Sequence, residues 1–181
     1  EAVPLRWGTN ETADWAEAAY DEGWGRDARR LARHTRRVVF VKPDLFVVID
    51  RLESLDGQPH RYEALFHLDA ADAVVTGLTA ATIGAGLGLA VRAFGPEAAT
   101  VMKGQTVPFL LGWVPDPSKG YGGVRPVPVA VFSGGPVATA TWVFVLTPTP
   151  GPATCPVRAA KAGETTLELD FEGGSQRSVR F

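Results

Sequence analysis

Arg33-His34-Thr35-Arg36-Arg37-Val38-Val39-Phe40-Val41-Lys42-Pro43-Asp44-Leu45-Phe46-Val47-Val48-Ile49-Asp50-Arg51-Leu52 carries the clearest structural signal in this chain. Val38 to Val41 and Leu45 to Ile49 are β-branched and aromatic runs, the residue types that fit a pleated, half-buried surface. Lys42-Pro43-Asp44 separates them with two turn formers, so the stretch reads as an antiparallel hairpin with a short turn. Working outward, Leu55-Asp56-Gly57-Gln58-Pro59 is a second turn and His60 to Leu68 the next strand. Further strands are expected at Ala73 to Val75, Leu87 to Phe94, Val127 to Phe132, Ala138 to Leu146, Thr165 to Phe171 and Ser175 to Phe181. Glu172-Gly173-Gly174 joins the last two as a glycine-bearing hairpin loop.

Strands at near-regular spacing, without intervening helical periods, predict an all-β domain of antiparallel sheets packed face to face. Upstream, Arg26, Arg29, Arg30, Arg33, Arg36 and Arg37 fall close to helical spacing. A strand or bulged strand running into Val38 is preferred there, with a short basic helix as the alternative. Val114 to Gly123 and Thr147 to Ala153 are rich in Pro and Gly and read as exposed loops, because proline cannot donate to a strand ladder.

At 181 residues and 45% hydrophobic composition, one domain with its own core is expected over residues 1–181. The formal charge of −2 gives no global reason for a nucleic-acid or membrane-surface partner. One cysteine, Cys155, excludes an internal disulfide framework and leaves the compartment open. Glu1 rather than Met at the start suggests that the chain is processed or cut from a longer one.

Paired cysteines, His-x-x-x-His, a Walker loop and a Gly-x-Ser-x-Gly elbow are all missing. Gly84-Ala85-Gly86-Leu87-Gly88 is followed by no helix start and reads as a turn, not a nucleotide site. His67, between Phe66 and Leu68, reads first as a core or sheet-face residue. The arginine cluster suits carboxylates and sulfates, which guanidinium binds bidentately, so an anionic polysaccharide is a sensible partner. The alternative is a solvated face balanced by Asp14, Glu17, Asp21, Glu22 and Asp27. Trp7, Trp15, Tyr20, Trp24, Trp113 and Tyr121 lie outside the most apolar strands and would stack on sugar rings if exposed.

Residues 33 to 52 and His60-Arg61-Tyr62-Glu63-Ala64-Leu65-Phe66-His67-Leu68 together resemble the C-terminal β-domain of heparinase II/III-type polysaccharide lyases. Gly112-Trp113, Tyr121-Gly122, Pro126-Val127-Pro128 and Leu146-Thr147-Pro148 extend the resemblance over most of the chain. It implies stacked antiparallel sheets of supersandwich type with little or no helix, preceded in a two-part enzyme by an N-terminal α/α toroid. It also implies cleavage of uronate-containing polysaccharide by β-elimination, with most catalytic groups on the helical part. A His-Asn-Thr-like segment that carries a further family histidine is absent here. The fragment alone is therefore expected to be inactive.

Of the catalytic groups that the resemblance implies, Tyr20 in Ala18-Ala19-Tyr20-Asp21 is the candidate, with Arg26 nearby to lower its pKa and Trp24 competing for the same position. Arg26, Arg30, Trp113 and Tyr121 are the substrate-binding candidates. Asp14, His34 and His67 are the residues to consider for a structural metal, without ligand-grade spacing; no metal and no cofactor are expected. A secreted or periplasmic location fits the family, with a cytoplasmic one left open. The rival readings are a non-catalytic carbohydrate-binding module and a purely structural one. An exposed apolar patch on one sheet would favour the lyase or structural reading, and a line of exposed coplanar aromatics the binding module.

Overall fold

The β3–β4 hairpin predicted around Pro43 is longer than its apolar runs, spanning Ala32–Val41 and Leu45–Ser54. The structure, a computed structural model, describes residues 5–23, 29–84 and 86–181. The other strands are β1 (Arg6–Thr9), β2 (Ala13–Tyr20), β5 (His60–His67), β6 (Asp72–Thr76), β7 (Thr79–Ile83), β8 (Leu87–Phe94) and β9 (Ala98–Lys103). β10 (Trp113–Pro115), β11 (Val124–Pro126), β12 (Pro128–Val137), β13 (Thr139–Pro150), β14 (Val157–Ala162), β15 (Thr166–Phe171) and β16 (Gln176–Arg180) complete the set among the described residues. Among the described residues the one helical element is a 3-10 turn at Pro117–Lys119. The all-β expectation holds.

Eight strands form a central sheet in the order β1-β2-β3-β4-β13-β8-β7-β6, and every pairing is antiparallel. Side chains alternate across it, so each central strand feeds two cores. On one face Val39, Val41, Val47, Ile49, Val143 and Val145 pack against Val157, Leu167, Leu169 and Val179 of the sheet β14-β15-β16. On the other face Val48, Leu52, Trp142 and Phe144 pack against Ala64, Ala130 and Phe132 of the sheet β5-β12-β9. The molecule is thus three stacked layers, and each fully buried Val, Leu or Phe contributes about 1.5–3 kcal/mol.

The small sheet β5-β12-β9 is narrower than the sheet it covers. β5 is its edge, and the same face of β1 to β3 beyond that edge is open. Trp7 and Phe46 are exposed there, 72% and 44%, with Val38 beside them and Phe40 stacked on Phe46 at 4.7 Å. A shallow apolar depression of about 390 Å³ marks the patch.

The predicted loop at 147–153 is corrected in its first half, since β13 continues through Pro150. Past Leu146↔Phe46 the strand has no β4 partner, while Thr147 to Pro150 still pair with β8. Pro148 and Pro150 therefore occupy an edge, where a missing N–H leaves no broken bond. The basic segment runs as a strand from Ala32, and its helical alternative does not hold there; Trp24 and Arg26 lie outside the described residues. Gly112 has φ +76°, and a side chain there would meet the Val127 carbonyl at 2.7 Å, which accounts for glycine before Trp113.

Candidate functional site

The step between the β5 edge and the central sheet encloses a cavity of about 260 Å³. Its chemistry begins with register. Arg36 of β3 stands opposite Asp50 of β4, which stands opposite Trp142 of β13, so all three share one face. Asp50 is 2% exposed and accepts from Arg36 twice, Nε to Oδ1 and Nη2 to Oδ2, each at 2.7 Å. His34, two residues before Arg36 and so on the same face, places Nε2 2.9 Å from Asp50 Oδ1. A buried carboxylate held this way fixes both the guanidinium plane and the imidazole orientation. Burial pushes the Asp50 carboxyl up, but the hydrogen bonds from Arg36 and His34 outweigh it and hold the group below the usual carboxylate range.

β5 supplies the opposite wall. Tyr62 packs edge-on to Trp142 at 6.5 Å, and His60 lies 6.4 Å from the Tyr62 ring. Phe66 sits 5.9 Å from the Arg36 guanidinium carbon. His60 contacts Asp56 Oδ1 at 2.8 Å. Asp56 is held at about 2, first by the Gln58 backbone N–H, then by His60. The Tyr62 hydroxyl is buried without a hydrogen-bond partner, and burial, then the Asp56 charge, raises its pKa. A buried phenol without an acceptor costs about 1–3 kcal/mol. Tyr62→Phe is therefore expected to leave stability unchanged or raise it by about 1 kcal/mol in urea denaturation. A loss above about 1 kcal/mol would mean that the hydroxyl has a partner in solution.

The residues named from sequence are spread around the molecule. Tyr20 stands opposite His34 in the β2–β3 register, is half exposed, and donates its hydroxyl to the Gly23 carbonyl at 2.9 Å. Arg30 donates to both the backbone carbonyl and the carboxylate of Asp21, each at 2.9 Å, and Arg33 joins the same carboxylate. Trp113 is half buried in the β10–β11 ribbon, its indole N–H bound to the Gln105 carbonyl at 3.0 Å. Tyr121 is fully exposed beyond the 3-10 turn. Neither Trp113 nor Tyr121 lines the cavity. Asp14 binds Lys42, His34 binds Asp50 and His67 faces solvent; among the described residues no group of three acidic, His or Cys side chains converges.

The sequence reading missed His34, Asp50, His60 and Tyr62 as a group. A signal for half of it existed, because a hairpin centred on Pro43 puts Arg36 opposite Asp50. The β5 contribution depends on how one sheet lies across another, which no local pattern encodes.

No family model matches the chain, and no curated protein matches its sequence. Solved structures do match. A heparinase III gene product aligns with 100% of this chain at TM-score 0.73 and 15% identity. The heparan sulfate lyase HepC of Pedobacter heparinus does so at TM-score 0.73 and 17% identity, and a further heparinase III structure matches 99% at TM-score 0.67 and 15% identity. The chain spans about a quarter of these proteins, 26–28% of their length. The resemblance read around residues 33 to 68 is thus matched over the whole chain by structure, and this protein has the stacked β-sheet fold of that quarter of heparinase III.

Proposed function

We propose that this chain is the C-terminal β-domain of a polysaccharide lyase that cleaves uronate-containing polymer by β-elimination. In this reading it backs an N-terminal helical toroid and forms one wall of the substrate cleft. The observation that carries it is the match of the entire chain to one quarter of the heparinase III and heparan sulfate lyase structures. The open face of β1 to β3 supports it, because a contiguous apolar patch around Trp7, Val38 and Phe46 suits a second domain.

β-Elimination needs the uronate carboxylate neutralised before its C5 proton can be taken, and a proton delivered to the leaving oxygen. Tyr20 is proposed for proton transfer, since a phenol does either step when its surroundings adjust its pKa. Arg26 and Arg30 are proposed for the carboxylate, and Trp113 and Tyr121 for stacking on sugar rings. Such an enzyme works on polymer outside the cytoplasm, so a secreted or periplasmic location is proposed. No helix among the described residues is long and apolar enough to cross a membrane.

The test is made in the native gene product that includes the helical part. Tyr20→Phe is expected to lower uronan turnover by at least about a hundredfold, the usual scale of a lost acid or base. Unchanged turnover removes Tyr20 from the mechanism. Val38→Lys with Phe46→Lys is expected to leave this chain's own stability within about 1 kcal/mol, since both side chains are already partly exposed. The same pair should impair the larger enzyme. Equal activity with and without the substitutions would show that this face docks nothing.

The binding-module reading rests on Tyr121, whose ring is fully exposed. Saturable binding of an anionic oligosaccharide by this chain, lost on Tyr121→Ala, would favour it.

A further inference from the structure

Arg36 and Arg37 are neighbours on β3 and therefore point to opposite faces of the central sheet. The Arg37 side opens onto a second cavity, of about 460 Å³, between the sheet and the turn joining β14 to β15. Three guanidinium groups converge there on one carboxylate. Glu17, 4% exposed, has Arg37 Nη2 at 2.6 Å from Oε2 and Arg51 Nη1 at 3.5 Å, while Arg6 binds its Oε1. The other polar contacts are to neutral backbone: Arg37 donates to the Glu164 carbonyl at 2.8 Å and Arg51 to the Gly163 carbonyl at 2.6 Å. Glu164 is exposed and is the remaining acidic residue in the lining. Positive charge is therefore in excess in this cavity.

The Arg37 side chain is 8% exposed; its Nε is buried with no acceptor, and Glu17 Oε2 beside it is buried with no aligned hydrogen-bond donor. Its guanidinium carbon lies 4.3 Å from the Phe181 ring centroid and 5.3 Å from that of Trp15, so aromatic rings keep the plane in place. Three guanidinium groups carry more donors than one carboxylate and two backbone carbonyls accept, and an anion with several acceptor oxygens matches such a fork of donors. Burial, and the Arg51 and Arg6 charges that Glu17 offsets, push the Arg37 guanidinium below its ordinary pKa; a second anion would relieve this.

We propose that this cavity binds an oxyanion, a sulfate or carboxylate group, held by Arg6, Arg37 and Arg51. The site lies on the sheet face opposite the His34–Asp50 cavity and does not depend on the lyase reading. The anion is either a free ion or a substituent on a polymer chain, and both present the same oxygens.

Calorimetric titration of the chain with sodium sulfate, at constant ionic strength against chloride, tests the site. Saturable binding in the millimolar range is expected, weakened at least tenfold by Arg6→Gln and by Arg51→Gln. Arg158→Gln, an exposed arginine on β14, should leave it unchanged. Arg6 is 67% exposed in its side chain but pairs with the buried Glu17, so glutamine, which keeps a hydrogen-bond donor there, is used, and circular dichroism with urea denaturation checks that each variant is folded. Sulfate also stabilises proteins generally by exclusion from their surface, an effect that does not saturate and is equal in every variant. A non-saturating response, or equal binding by the wild type and both glutamine variants, overturns the proposal. A second titration with a sulfated uronate disaccharide separates the sources. Binding with the same Arg6 and Arg51 dependence makes the anion glycan-borne, and binding of inorganic sulfate alone makes it a free ion.

Discussion

Phe144→Ala is expected to cost about 3–5 kcal/mol, the range for removing a buried aromatic ring. Phe144 has no exposed surface and sits among Phe66 at 4.9 Å, Phe132 at 5.3 Å and Trp142 at 6.3 Å. These rings come from β5, β12 and β13, so they hold the small sheet on the large one. The walls are rigid strands that collapse poorly into a void, which places the loss toward the upper part of the range. In urea the midpoint should fall with the slope unchanged, the sign of lost stability without a change of denatured state. Thermal unfolding should fall by about 6–20 °C, from roughly 2–4 °C per kcal/mol at this size. Phe46→Ala, at a 44% exposed position, should cost under about 1 kcal/mol. Equal losses at the two positions would contradict the layer assignment.

Asp50→Ala is expected to be the most damaging polar change, at about 3 kcal/mol. Removing one member of a buried pair costs about 3–5 kcal/mol, because its partner stays in place without compensation. Here Arg36 keeps 39% of its side chain exposed and regains some hydration, so the lower end applies. Arg36→Met with Asp50→Leu should recover much of the loss, since a packed apolar pair replaces an ionic one at little cost. Acid distinguishes this from a packing defect. The Asp50 carboxyl is held below its ordinary value, so its contribution is complete above the unfolded pKa of about 3.9 and is lost as pH falls through the folded value. The gap between wild type and Asp50→Ala should therefore be constant near neutrality and close below about pH 4. A gap that persists in acid would mean that the charge contributes nothing.

The hairpin around Pro43 was legible because β-branched and aromatic residues fill both of its faces, one buried and the other partly open at Val38 and Phe46, and its turn carries Pro and Asp. β1 and β2 were not legible, for a definable reason. The inward positions of β2 are Ala13, Trp15 and Glu17, so a buried charge stands where a hydrophobic residue would signal the strand. Glu17 is tolerated only because Arg6, Arg37 and Arg51 meet it, and those partners come from three other strands. The arginine cluster was visible as composition but not as structure. Period-2 alternation sends Arg36 to one face and Arg37 to the other, while Arg30 and Arg33 share Asp21 at the strand's start. The cavity beside β5 is lined by Tyr62 from one sheet and His34 from another, an arrangement that follows from layer stacking.

The lyase reading is decided by an assay of the native gene product, with its mass and upstream peptides mapped, on a panel of uronate-containing polysaccharides. The expected result is a larger chain with a helical region before this domain, releasing products with the ultraviolet absorbance of a 4,5-unsaturated uronate. A native product with no such region, or one that carries it and releases no unsaturated uronate from any of these polymers, would contradict the lyase reading.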